Sequence, residues 1–115
     1  LTENDRVFTD SLTAYISSNL HNPDLKIDDI ASALCMSRSV LYVKIKAIYG
    51  ISPNDVLRNL RIARACELLR TEFSMNISEI ALAVGYNDAK YFARYFRQTM
   101  GKTPTDYRRE ADSMK

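Results

Sequence analysis

At 115 residues the chain has room for one compact unit or two very small ones, and 46% apolar residues exclude a disordered polymer. No apolar run reaches the ~18 residues of a membrane-spanning helix, and three Gly and three Pro suit helices with short connections. The net charge of +2 is unevenly placed, with −4 on residues 1–30 and +6 on the rest, as expected of a basic surface facing an anionic partner and an acidic end facing away.

An acidic leader, residues 1–7, begins at Leu1 without an initiator Met or a signal peptide, so the chain reads as a fragment of something longer. Phe8, Leu12, Tyr15, Ile16 and Leu20 recur at helical spacing and predict a first helix over about 5–20, stopped by Asn22-Pro23. Its expected role is structural support. His21, the only histidine, reads as a surface residue near that helix end.

Ile27, Ile30, Ala31 and Leu34 predict a second helix, with Asp28 and Asp29 in its first turn, where they suit the helix dipole. Cys35-Met36 forms a turn, Ser37 is the expected cap, and a third helix runs over about 38–49 with Leu41, Ile45 and Ile48 inward. A longer helix follows from Pro53, with Ser52 as N-cap and Asp55 in the first turn. Its apolar residues face several ways, so it should be buried on several sides and should link two halves. Its ~18 residues span ~27 Å, approaching the ~34 Å between successive major-groove faces of B-DNA.

After a loop, Asn76 and Glu79 offer a capping box for another short helix carrying Ile77, Ile80, Ala81 and Val84. Gly85 interrupts it at a turn that should need positive φ. A sixth helix, about 88–99, keeps Phe92 and Phe96 on one side and Lys90, Ala93, Arg94 and Arg97 largely on others. Thr103-Pro104 then opens a last helix. This second stretch repeats the first: Ile27, Ile30, Ala31, Leu34 and Cys35 lie 50 residues before Ile77, Ile80, Ala81, Val84 and Gly85, while Leu41, Ile45 and Pro53 lie 51 before Phe92, Phe96 and Pro104. One extra residue therefore enters the second turn, and Cys35 should be left-handed like Gly85. Two copies of a helix-turn-helix unit are the expectation.

Residues 77–107 resemble the signature of the AraC/XylS family of transcription activators, at Ile77, Ile80-Ala81, Gly85-Tyr86, Phe92, Phe96-Arg97, Gly101 and Thr103-Pro104. The resemblance covers about residues 8–110. It implies an all-α fold of about seven helices, two homeodomain-like helix-turn-helix subdomains (8–52 and 73–110) joined by a linking helix (53–72), with a tail at 111–115. It also implies sequence-specific binding of a double-stranded DNA operator for transcription regulation, with the two reading helices in adjacent major-groove segments. Carried over by position, base contacts fall to Ser39, Tyr42 and Val43 on the first reading helix and to Ala89, Lys90, Ala93 and Arg94 on the second. Phosphate contacts fall to Arg38, Lys44, Lys46, Arg97 and Lys102. Val43 departs from the family, which commonly has arginine there.

The run MSRSVLYVKIKAIYGISPNDVLR resembles the output domain of hybrid two-component regulators that respond to carbohydrates. That implies sensor or receiver domains elsewhere, RNA polymerase as a partner and a cytoplasmic, nucleoid-associated location, with any membrane anchor in other domains. No cofactor, metal or catalytic group is expected, and the chain does not read as an enzyme. Cys35 and Cys66 lack CxxC spacing and read as small buried residues. Two other functions fit the residues less well: an architectural or protein-interaction module, and a DNA-repair-associated domain with a reactive thiol.

Overall fold

The computed structural model describes residues 2–114, in which there are seven helices and no strand. They are α1 (Glu3–Asn19), α2 (Ile27–Ala33), α3 (Arg38–Tyr49), α4 (Pro53–Thr71), α5 (Ile77–Ala83), α6 (Ala89–Met100) and α7 (Pro104–Ser113). The fold is the all-α arrangement that the periodicity predicts. Leu1 of the leader and Lys115 of the tail lie outside the described residues.

The chain forms two compact units. The first takes the chain up to Leu20 and Asp24–Leu60, and the second takes His21–Pro23 and everything from Arg61 on. In the first, Phe8, Leu12 and Ile16 of α1 are buried together with Ile30 and Ala31 of α2 and Leu41 and Ile45 of α3. In the second, Ile80, Ala81 and Val84 are buried with Phe92 and Phe96 of α6, and the Phe96 ring meets Tyr107 of α7 edge-on at 5.5 Å. The apolar residues of α4 make no single stripe because two cores draw on it. Val56 and Leu57 serve the first unit, and Ile62, Ala65, Cys66, Leu68 and Leu69 serve the second. Ala63 of the same helix is exposed.

Local chemistry sets the helix ends. Ser37 Oγ accepts from Val40 N at 3.2 Å, Ser52 Oγ from Asp55 N at 3.2 Å and Thr103 Oγ1 from Asp106 N at 3.1 Å. Asn76 and Glu79 form the reciprocal box that starts α5, at 2.8 and 2.9 Å. A similar box between Thr2 and Asp5 starts α1, so residues 3–7, set apart in the sequence as a leader, are helical. Residues 111–113 of the tail likewise complete α7.

The 50-residue register holds in three dimensions. After α2, Cys35 N donates to Ser32 O at 3.1 Å and Met36 N to Ala31 O at 3.0 Å. After α5, Gly85 N donates to Leu82 O at 3.1 Å and Tyr86 N to Ala81 O at 2.9 Å. Both are Schellman closures, which require a left-handed residue just past the helix. Cys35 adopts it at φ 57° and Gly85 at φ 94°. The extra residue of the second copy lies in its turn, since α3 starts five residues after Ala33 and α6 six after Ala83. Cys35 is exposed at the apex of its turn, which corrects the expectation that both cysteines are buried; only Cys66 is.

One long-range tie had no signal in the sequence. The Arg108 guanidinium donates to the carbonyls of Leu69 at 3.2 Å, Glu72 at 3.1 Å and Met75 at 2.7 Å. Carbonyls at a helix C-terminus lack intrahelical partners, so this arginine closes the end of α4 and fixes the loop into α5.

Left-handed geometry costs a non-glycine residue about 1–2 kcal/mol, while glycine costs about 0.5–1 kcal/mol through the unfolded chain. Cys35→Gly should therefore raise stability by about 0.5–1 kcal/mol, and Cys35→Val, with its branched Cβ, should lower it. Urea denaturation reads both. A Cys35→Gly chain less stable than the parent would contradict the strained turn.

Candidate nucleic-acid interface

Each turn delivers a twelve-residue helix whose inner face is anchored by two fully buried side chains. These are Leu41 and Ile45 on α3, and Phe92 and Phe96 on α6. The aromatic pair on α6 sits with ring centroids 5.7 Å apart. Pinning positions i and i+4 inward fixes which residues point outward. Both helices carry three cations and no acid: Arg38, Lys44 and Lys46 on α3, and Lys90, Arg94 and Arg97 on α6.

On α6 the exposed face is continuous. Lys90, Arg94 and Arg97 are exposed at i, i+4 and i+7, so they stand in one row, with half-buried Ala89 and Ala93 alongside. The Arg94 guanidinium lies 5.5 Å from the Tyr91 ring centroid, a cation–π contact on its own helix. Asp88 caps the start, its Oδ1 accepting from Lys90 N at 2.7 Å. Of the residues assigned to this half, Lys102 stands apart. It follows α6 and is ion-paired with Glu110 of α7.

On α3 the outward row is Ser39, Tyr42, Val43 and Lys46. Arg38 flanks it, stacked 5.4 Å from the Tyr42 ring centroid and donating to the Tyr42 hydroxyl at 3.4 Å. Its guanidinium also lies 3.6 Å from Asp28 of α2, and the phenol and the carboxylate together hold its pKa up. One carboxylate of the acidic segment therefore sits at the foot of α3. Lys46 Nζ donates to Gly50 O at 3.1 Å, closing the helix end. Lys44 is on another face, half-buried, 5.5 Å from the Phe8 ring centroid of α1.

Ala47, which the sequence did not single out, and Pro53 of α4, read there only as a helix start, lie beside Val43 on the outer surface. Ala47 stands four residues after Val43, so helical spacing alone could have found it. Arg61 was also missed. It is 9% exposed, donates to Asn22 O at 2.8 Å and stacks 5.7 Å from the Tyr86 ring centroid. Burial lowers its pKa. It ties the residues preceding Asp24 to the turn after α5.

No helix among the described residues is long and apolar enough to cross a membrane. Residues 30–110 match the model of a helix-turn-helix domain family. The chain is 34% identical over 92 residues to a protein called histidine kinase P4 of Formosa agariphila, covering 80% of this chain and 7% of that one. It is 34% identical over 99 residues to the MmsAB operon regulatory protein of Pseudomonas aeruginosa, covering 86% and 32%. Among solved structures it resembles the C-terminal domain of AraT, a response regulator from Geobacillus stearothermophilus, with a TM-score of 0.80, 34% identity and coverage of 96% and 87%. The chain thus spans less than a third of the two curated relatives.

The two thiols differ in access. Cys66 is buried in α4, and burial pushes its pKa up, with Tyr107 and Arg70 opposing. A protonated buried thiol is a poor nucleophile. Iodoacetamide at neutral pH should label Cys35 alone in the folded chain and both thiols in urea, as read by intact mass and peptide mapping. Rapid labelling of Cys66 in the folded chain would contradict this and revive a thiol-transfer role.

Proposed function

The chain belongs to the AraC/XylS family of helix-turn-helix DNA-binding domains, a class of transcriptional regulator modules and not of enzymes, and from that premise we propose that it reads an operator with α3 and α6 in successive major-groove segments. One observation carries the proposal. Two copies of one turn each present a helix with three cations, no acid and a fully anchored inner face.

The base-contacting residues in this reading are Ser39, Tyr42 and Val43 on α3 and Ala89, Lys90, Ala93 and Arg94 on α6. Arg94 and Lys90 can donate to the O6 and N7 acceptors of guanine, and the alanines can approach a base without hydrogen bonding. Arg38, Lys46 and Arg97 serve as phosphate anchors, which fix register and carry no sequence information. Lys44 packs on Phe8, Lys102 pairs with Glu110, Arg38 with Asp28, and Lys46 holds Gly50 O, so each gives up a partner to reach a phosphate. In a larger regulator this module is the output end of a two-component pathway, with RNA polymerase as its partner on the promoter. A relative named as a histidine kinase and another named as a response regulator support that context. A carbohydrate signal upstream is what the resemblance of residues 36–58 adds.

Arg94→Ala should cost about 1–3 kcal/mol on the cognate site and relax choice at one base pair. Lys46→Ala should weaken all sequences alike and lower the salt slope by about one. Titrations over a systematically substituted operator at fixed salt measure the first, and a salt series measures the second. Equal losses on cognate and random duplex for Arg94→Ala would make it a phosphate contact and remove readout from α6.

A further inference from the structure

The outward surface of α3 differs in kind from that of α6. It carries an open depression of about 530 Å³ lined by Tyr42, Val43, Lys46, Ala47, Ser52 and Pro53. Val43 is 69% exposed, although it is among the most apolar residues of the helix. A single exposed valine needs no explanation; here four apolar groups converge on the face that the family uses for reading.

The polar groups around the depression have partners within the protein. The Tyr42 hydroxyl accepts from Arg38, Lys46 Nζ donates to Gly50 O, and Ser52 Oγ accepts from Asp55 N. The Tyr42 ring is held in place by the Arg38 stack. The Val43, Ala47 and Pro53 side chains that line it carry no polar group with which to hydrogen-bond a base edge. Beside it α3 supplies Arg38 and Lys46 and no acid, a charge balance that suits flanking phosphates. Of the base edges in the major groove, only thymine offers a methyl group.

We propose that this depression seats the 5-methyl group of a thymine, with Val43 and Ala47 as its specificity-determining residues. The first unit then discriminates by apolar contact and the second by charge-assisted hydrogen bonds. The inference rests on the reading of α3 as a major-groove helix.

The test uses the whole chain and a duplex selected for specific binding, in which each thymine is replaced in turn by deoxyuridine. Replacement at one position should weaken binding about fourfold, the worth of one buried carbon. Val43→Ser should remove that preference, and Ala47→Ser should reduce it. Both side chains are exposed, so unchanged helicity and melting temperature are expected of the variants. If no deoxyuridine weakens binding while specific recognition persists, or if the preference survives Val43→Ser undiminished, the methyl seat is wrong and the groove reading stands. If the α3 variants change binding to no duplex at all, α3 does not enter the groove and both fall together.

Discussion

Both units depend on one backbone constraint: a left-handed residue immediately past a seven-residue helix. Cys35 and Gly85 meet it, and the paired hydrogen bonds back to Ser32 and Ala31, or Leu82 and Ala81, lock the reversal. The carbonyl that closes each turn belongs to an alanine that is at most 3% exposed. A side chain that small lets the following helix pack close to the first. Leu41 and Ile45, or Phe92 and Phe96, then fill the space beneath, and everything outward on α3 and α6 follows from where those side chains are pinned. Glycine meets the constraint freely. Cysteine meets it at a cost, so the surrounding core of the first unit must hold its turn.

The same scaffold carries different surfaces on its two copies. On α6, cations at i, i+4 and i+7 form a row suited to guanine and phosphate. On α3, the cations are drawn to the edges, Arg38 by Tyr42 and Asp28 and Lys46 by the helix end, leaving an apolar centre. Repetition thus preserves the parts that build the turn and core, while the outward positions diverge. Arg108 and Arg61 act differently again. Each uses its planar fork to hold main-chain carbonyls, so neither is offered to a nucleic acid.

The features that obey local rules were legible in the sequence. Helix caps, the 3.6-residue periodicity and Gly85 depend on residues within one turn of each other, while the left-handed Cys35 was legible through its 50-residue register with Gly85. The opening of α1 was missed because its box, Thr2 with Asp5, lies ahead of the apolar run that marks the helix. Cys35 was expected to be buried because cysteine usually is, but the apex of a Schellman turn points its residue outward. Ties across many residues had no periodic signal, as with Arg108 to the end of α4, Lys102 to Glu110 and Lys44 to Phe8. For the same reason the site residues could be placed on helices from spacing alone, while their intramolecular partners could not.

The central claim is that one chain reads DNA twice, by unlike chemistry. Selection of bound duplexes from a random library tests it most directly, using the whole chain at near-physiological salt. Two informative blocks about 10–10.5 base pairs apart are expected, one built on guanine and one on thymine. Enrichment of a single block, or none over random competitor, would contradict it.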